Sequence, residues 1–282
     1  MPELPEVEVI RQGLAPLLGG RRVVGVGWST RKLRLPVPRR ALTRWVRGVR
    51  IRVVGRRAKY LLLHMANNAT VVFHLGMSGK LGLFPARAPC RKHDHLRLRL
   101  DNGLELRFND SRRFGSLQVL APDVAVDVVL GEIGPEPLSD DLTPAYLLSR
   151  ACNRRQPIKN FLMDSRTVAG IGNIYANEIL FCAGIRPTTP AGDITESQWQ
   201  RTIRCCRDVL GRAIASGGTT IADFVDASGA AGYFQLQLQV YGRGREKCTQ
   251  CQTAITRQVL AGRATYFCPC CQPLQPVGEQ ET

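Results

Sequence analysis

Two Cys-x-x-Cys pairs near the C-terminus, Cys248-Thr-Gln-Cys251 and Cys268-Pro-Cys-Cys271, are separated by 16 residues. Two such knuckles joined by a hairpin supply four thiolates at tetrahedral zinc geometry. The spacing predicts one structural Zn2+ ion held by Cys248, Cys251, Cys268 and Cys271. A closed four-sulfur shell leaves no open position, so the metal should hold a hairpin and do no chemistry. Cys270 could in principle replace Cys271, but the spacing favours Cys271. Gln252 is unusual, since glycine is easier after a knuckle's second cysteine. Five of the ten cysteines crowd the last 35 residues, which points to a metal and away from a disulfide framework. Cys90, Cys152, Cys182, Cys205 and Cys206 read as small buried hydrophobes.

The charge is as uneven as the cysteines. The 282 residues carry 39 Lys or Arg against 23 Asp or Glu, a net +16, and positions 11–60 hold fifteen of the bases with no acid. Such an excess repels itself unless a polyanion is present, so nucleic acid is the first candidate partner. An acidic membrane surface fits less well, because the bases are interleaved with strand-like segments and do not line one long helix. The opening Met1-Pro2-Glu3-Leu4-Pro5-Glu6 carries acids where a signal peptide needs bases. No apolar run approaches the roughly 18 residues of a membrane span. A cytoplasmic protein without a membrane partner is expected.

The first element reads as a helix, with Pro5 in its first turn, Val7, Ile10, Leu14 and Leu17 at helical spacing, and Gly19-Gly20 as the stop. From about 22 to 120 short β-type runs take over: 22–28, 49–54, 60–64, 70–75, 96–100, 104–109 and 117–120. Asp101-Asn102-Gly103 marks a hairpin between two of them. Many short strands at close spacing predict a sandwich or a barrel. The Pro- and acid-rich stretch 134–142 reads as a linker. Helices follow, with Thr143 capping Pro144, and a capping box at Thr195-Glu-Ser-Gln198. Trp199, Ile203, Cys206, Leu210 and Ile214 then form a buried stripe.

Several further motifs run collinearly along the chain: Pro2-Glu-Leu-Pro-Glu-Val7, Arg56-Arg-Ala-Lys-Tyr60, His74-Leu-Gly-Met-Ser-Gly79, Lys92-His-Asp-His95, Asp110-Ser-Arg-Arg-Phe-Gly115, Gly170-Ile-Gly-Asn-Ile-Tyr-Ala176, Gly217-Gly-Thr-Thr220 and Gln239-Val-Tyr-Gly-Arg243. With the cysteine knuckles they make the chain closely resemble the formamidopyrimidine-DNA glycosylases, bacterial enzymes that remove 8-oxoguanine and ring-opened purines. The resemblance implies an α+β protein: an N-terminal β-sandwich with a flanking helix, a helical helix–two-turn–helix domain and a C-terminal zinc-finger β-hairpin. The boundaries drawn on this basis are 1–133, a linker at 134–142, 143–236 for the helical domain, 237–272 for the finger and 273–282 for a tail. The partner implied is double-stranded DNA containing oxidised bases, bound by a monomer.

The chemistry of the opening residues agrees. Methionine before proline is readily trimmed, leaving Pro2 as a secondary amine. An α-amine titrates near about 8 against about 10.4 for lysine, so far more of it is unprotonated at neutrality. Attack on sugar C1′ expels the base and leaves an iminium, an electron sink for elimination of the flanking phosphates. Glu3 can give or take a proton at the sugar, and Glu6 suits the first turn of the helix and, by resemblance, supports the site. Lys59, by resemblance the proton donor in β-elimination, otherwise reads as one more phosphate contact. Arg263 resembles the family's δ-elimination residue. A guanidinium does not readily release a proton, so its physical role is phosphate binding and charge stabilisation.

A base inside a duplex must be extruded before it can be cut. By resemblance Met77, Arg112 and Phe114 fill the gap, and the types fit: a flexible apolar chain, a planar cation for the orphaned base and an aromatic wedge. His93 is expected to meet phosphate, because residues along one strand point to different faces and Lys92-His-Asp-His95 is then no metal site. The turn 168–173 should offer backbone amides to phosphate, with Asn173 as the helix N-cap. Arg154, Arg155 and Lys159 would add charge to the same groove, and Tyr241 would contact DNA. The segment 226–234 is expected to close over the extruded base. Two other readings stay in view: an endonuclease VIII-like enzyme for oxidised pyrimidines, against which Leu4 and the complete Met77, Arg112 and Phe114 set speak, and a catalytically silent DNA-binding protein, which would need no Pro2, Glu3 or Lys59.

Overall fold

The computed structural model describes residues 2–217, 224–225 and 238–274. The segment 226–234 and the end of the tail lie outside the described residues. Two compact units are present. The first comprises the described residues up to Gly131, with 214–217 and a two-residue strand beyond. The second comprises Glu132–Ala213 and 238–274.

The first unit opens with α1 (Leu4–Leu18), whose Val7, Ile10 and Leu14 are buried. One sheet runs β1 (Val23–Trp28), β6 (Asp94–Leu100), β7 (Leu104–Asp110), β5 (Gly79–Pro85), with β9 (Phe224–Val225) parallel to β5 at its edge. The other runs β2 (Ile51–Arg57), β3 (Tyr60–Met65), β4 (Thr70–His74), β8 (Ser116–Leu120). Strand alternation aims Leu61, Leu63, Val71 and Phe73 of the second sheet and Leu81, Leu98, Leu106 and Phe108 of the first into one shared core. The open question between sandwich and barrel is thus settled as two sheets. Short helices α2 (Arg39–Trp45) and α3 (Val126–Leu130) complete the unit. Val126, Val129 and Leu130 of α3 cover Leu62, Val72 and Leu120 on the outer face of the second sheet, which explains why Leu61-Leu62-Leu63 is buried without alternation. β5 was not among the expected strands: it starts on glycine and ends on proline, both depleted in strands, and its register with β7 over seven pairs makes it one.

The second unit holds α4 (Pro144–Ala151), α5 (Ile158–Met163), α6 (Asn173–Cys182), α7 (Glu196–Ala215) and the hairpin β10 (Thr256–Leu260) and β11 (Arg263–Phe267). Both expected caps are present. The Thr143 hydroxyl accepts from the Tyr146 N–H at 3.1 Å, and the Thr195 N–H donates to Gln198 Oε1 at 2.9 Å. The stripe from Trp199 to Leu210 is buried. Residues of the 134–142 stretch are fastened to the α5–α6 turn: the Gly134 N–H donates to the Ser165 carbonyl and the Ala169 N–H to that of Pro135.

The scattered cysteines need correction. Cys90 and Cys152 are exposed, and Cys182 is disulfide-bonded to Cys205, joining α6 to α7 across Cα atoms 5.7 Å apart. That separation lies within disulfide range, and nothing in the linear spacing announces it. Cys206 alone is a buried hydrophobe, and burial pushes its thiol up to about 12.

Candidate active site and nucleic-acid interface

Pro2 is buried, and Glu3 and Glu6 are 1% and 3% exposed. Glu3 is the N-cap of α1, and its backbone N–H donates to Glu6 Oε2 at 2.8 Å. Glu6 therefore fixes the backbone that carries Glu3 and Pro2. Lys59 stands half-buried in the two-residue turn between Arg57 and Tyr60, where Ala58 takes a φ of 50°. A left-handed first loop residue is what a tight hairpin turn requires. Arg56 ties the two places together, donating from Nε to Glu8 of α1 at 2.9 Å and from Nη1 to the Ala58 carbonyl at 3.0 Å.

His74, whose role its motif does not announce, belongs to this cluster. It pairs with Tyr60 across β3 and β4, and the rings lie 5.0 Å apart. Its Nδ1 accepts from the Gly76 N–H at 3.1 Å. Burial, then the positive charges of Lys59 and Arg34, push its imidazole down to about 4. It is a neutral ring at physiological pH, with Nε2 carrying the proton. The signal was available: the residue opposite Tyr60 in this register adjoins the Lys59 turn.

The loops after β4 and β7 carry the expected gap-filling set. Met77 is 43% exposed and Phe114 48%, unusual for large apolar side chains. The Arg112 guanidinium lies over the Phe114 ring at 4.9 Å. Asp110 laces the loops, accepting from the Ser78 hydroxyl at 2.6 Å and the Gly115 N–H at 2.8 Å, while Ser78 accepts from the Arg112 N–H. Gly76, at φ 65°, lies so close that a Cβ there would come within 2.5 Å of Gly115 N. His93 is half-exposed at φ 77° just before β6. His95 is buried against Ser29 Oγ and the Asp110 carbonyl, and Asp94 pairs with Arg107. The motif's groups are thus spent separately, as expected for residues that do not share a metal.

In the second unit Arg154 and Arg155 are exposed beyond α4. Lys159 is not a groove cation. It is 1% exposed, and its Nζ donates to the Ala264 carbonyl at 3.0 Å and Thr265 Oγ1 at 2.7 Å. A lysine on a helix facing the finger satisfies the hairpin's polar groups from inside. Asn173 is also displaced from its expected place: Gly172 is the N-cap and Asn173 the first helical residue. Its Nδ2 donates to the Ala264 carbonyl at 3.0 Å, and its buried Oδ1 has no hydrogen-bond partner. Glu178, unremarked in the sequence, accepts from the backbone N–H groups of Gln239, Val240 and Tyr241 at 2.8–2.9 Å. It holds the segment presenting Tyr241, whose ring packs on Tyr266 at 5.2 Å. Arg263 is exposed at the hairpin tip, after Ala261 and Gly262 with φ of 46° and 73°.

The Sγ atoms of Cys248, Cys251, Cys268 and Cys271 lie within 4.8 Å of one another. Sulfur–sulfur approaches of 3.9 Å (Cys248 to Cys271) and 3.4 Å (Cys251 to Cys268) bracket the roughly 3.8 Å that tetrahedral zinc with Zn–S near 2.3 Å demands. N–H groups of Gln250 and Cys271 approach the sulfurs of Cys248 and Cys268. These four residues could hold one zinc ion; Cys270 is exposed and outside the cluster. Gln252 takes φ 65°, the left-handed conformation in which glycine is easier.

Comparison with known proteins agrees along the whole chain. Residues 1–117 match the formamidopyrimidine-DNA glycosylase N-terminal domain, 133–225 its H2TH domain, and 245–274 the zinc finger found in FPG and IleRS. Formamidopyrimidine-DNA glycosylases of Hahella chejuensis and Stenotrophomonas maltophilia are 46% and 48% identical over 272 residues, 96% of this chain and all of theirs. Among solved structures, a Lactococcus lactis FPG mutant complexed with Fapy-dG containing DNA superposes with a TM-score of 0.88 at 33% identity, over 97% of this chain and all of that one. The same bacterium's Fpg with an abasic site containing DNA gives 0.87 over 96% of this chain and all of that one. This chain belongs to the formamidopyrimidine-DNA glycosylase family.

Proposed function

We propose that the chain is a bifunctional DNA glycosylase and abasic-site lyase that removes oxidised purines during base excision repair, with trimmed Pro2 as nucleophile. The observation that carries this is the buried start of α1, fastened through Arg56 to the turn bearing Lys59. The names of its relatives and the Fapy-dG DNA in the Lactococcus lactis complex support the lesion class. Bacterial relatives and DNA as substrate support work in the cytoplasm, and no described helix is long and apolar enough to cross a membrane. The domains are assigned as 1–133, 143–236 and 237–272, joined by 134–142 and followed by the tail 273–282.

The Pro2 nitrogen attacks C1′, the glycosidic bond breaks, and the base leaves with a proton. Glu3 exchanges protons with the opening sugar. The resulting iminium draws electrons toward C1′, so loss of a C2′ proton expels the 3′ phosphate, and loss of a C4′ proton then expels the 5′ phosphate. Lys59 serves the first elimination. Exposed Arg263 binds phosphate in the second. Met77, Arg112 and Phe114 occupy the vacated stack, and His93, Arg154, Arg155, Asn173 and Tyr241 bind the strand. Zinc keeps the finger folded.

Borohydride reduction of a mixture with duplex carrying one 8-oxoguanine tests this. A cross-link mapping to residue 2 is expected, and Pro2→Gly should impair excision. Undiminished trapping with a verified blocked terminus would overturn it.

A further inference from the structure

On the outer face of the first sheet, β1 carries glycine at alternate positions. Gly25 pairs with Arg99 of β6 and Gly27 with Arg97. Val26 and Trp28 between and beyond them turn to the core. Strand alternation therefore leaves the solvent side of β1 without side chains at Gly25 and Gly27, beyond exposed Val24. The bared backbone floors a cleft of about 300 Å³, whose rim includes Arg47, Arg97, Arg99 and Glu105.

The arginines are placed, not merely present. The Arg97 guanidinium lies against Gly27, where a Cβ would come within 2.9 Å of Nη2. Its Nη1 donates to Cys90 Sγ at 2.8 Å. Arg47 and Arg99 are exposed. Among the described residues none of the three has a carboxylate partner. The single acid on the rim, Glu105, is 2% exposed and bonded to Arg107 at 2.8 Å, a cation it shares with Asp94. Three guanidiniums with no bonded carboxylate among the described residues thus line one concavity over the glycine strip. Planar guanidinium forks match phosphate oxygens bidentately, so several lining one concavity can hold a phosphate between them.

We propose that Arg47, Arg97 and Arg99, with the glycine strip of β1, form a second phosphate-binding cleft, separate from the residues assigned to base excision. Two sources share this chemistry: a phosphodiester of a DNA segment outside the cleaved strand, or a free phosphate-bearing solute. The cleft takes no part in the chemistry of Pro2, so it stands or falls independently of the proposed activity.

Two variants test it by different means. Arg97→Ala with Arg99→Ala removes charge. Gly25→Val keeps every charge and fills the floor. Calorimetric titration with inorganic pyrophosphate should show binding to the intact protein and at least tenfold weaker binding to both variants, with single-turnover excision at saturating enzyme unchanged. Binding of undamaged duplex across a salt series then separates the sources. A log–log slope smaller by about 2 in the double variant assigns the cleft to DNA phosphates. An unchanged slope with lost pyrophosphate binding assigns it to a free solute. No pyrophosphate binding by the intact, folded protein, or equal binding by Gly25→Val, overturns the proposal.

Discussion

The Glu8 carboxylate of α1 is paired at 2.9 Å with Arg56, three residues before Lys59 on the strand leading into its turn. The two side chains are 14% and 11% exposed. One guanidinium therefore sets the spacing between the helix that follows Pro2 and Glu3 and the turn that leads into Tyr60. Arg56→Ala should lower stability by about 2 kcal/mol, the worth of hydrogen bonds to a charged group. It should also slow borohydride trapping, while Arg52→Ala, an exposed base on the same strand, alters neither. Burial alone would raise Glu8's carboxyl, but hydrogen bonds from Arg11 and Arg56 outweigh it and hold it below the usual range. This contribution is complete above the ordinary carboxylate value near 4.5 and is lost as pH falls through the lower folded value. Equal trapping rates in a destabilised Arg56→Ala would leave the pair a purely structural one.

His74 gives a second pH effect of known sign. Its ordinary value is 6.5 and its folded value about 4. Between these the unfolded chain binds the additional proton, so stability falls as pH drops from 6.5 toward 4 and levels off below. His64, also lowered by burial and by Arg52, acts in the same direction. The informative quantity is thus the difference between the intact protein and His74→Asn, whose profile should be flatter in that window. Proton NMR should find the His74 ring neutral at pH 5.5; an imidazolium there would contradict the geometry.

The metal register can be read directly. Cys248→Ser should lose zinc and duplex binding while the strand signal of the sandwich persists, since the finger is held by its own metal. Cys270→Ser should keep one zinc per chain. Metal lost from Cys270→Ser and kept by Cys271→Ser would reverse the assignment.

Lys159 and Arg154 should part company although both are basic residues of one stretch. Lys159→Ala removes the buried bond to Thr265 Oγ1 and one of the two donors to the Ala264 carbonyl, which keeps Asn173, and should destabilise the second unit by about 2 kcal/mol. Arg154→Ala should leave stability intact and reduce the salt slope of duplex binding by about 1. Urea unfolding and a salt series distinguish them. The reverse pattern would return Lys159 to the DNA groove.

What the sequence made legible was local or periodic. Cys248 to Cys271 announce their ligand geometry by spacing alone, Thr143 and Thr195 announce their caps, and Leu96, Leu98 and Leu100 announce a face. What it hid depends on partners distant in the chain. Lys159 looks like any surface lysine until β11 is laid against it, 105 residues on. The Cys182–Cys205 bridge, the burial of Glu178 under three backbone amides, and the depressed His74 are of the same kind. Residue type limits what such a group can do, but only packing decides which of its options it takes. The motifs after β4 and β7 sit between these cases: Gly76, Ser78, Asp110 and Gly115 were visible as residues, and their mutual lacing became visible only in three dimensions.

The base left behind in the duplex should be read by Arg112. Arg112 rises beside exposed Met77 and Phe114, its backbone N–H held by Ser78 and its guanidinium steadied on the Phe114 ring at 4.9 Å. A cation so placed donates well to the acceptor edge of cytosine and has no comparable fit to the amino group of adenine. One discriminating contact of this kind is worth about 1–3 kcal/mol, roughly 5- to 150-fold in rate if expressed in the excision step. Duplexes with 8-oxoguanine opposite cytosine should therefore be processed faster than those with adenine opposite. Arg112→Ala should bring the two rates together, mainly by slowing the cytosine duplex. Phe114→Ala should weaken the preference less, because it removes the platform and leaves the donor. Single-turnover rates on duplexes that differ only in lesion and partner base measure all three quantities. Faster removal of thymine glycol than of 8-oxoguanine opposite cytosine would move the chain to the oxidised-pyrimidine class, and an unchanged preference in Arg112→Ala would take the reading of the opposite base away from this residue.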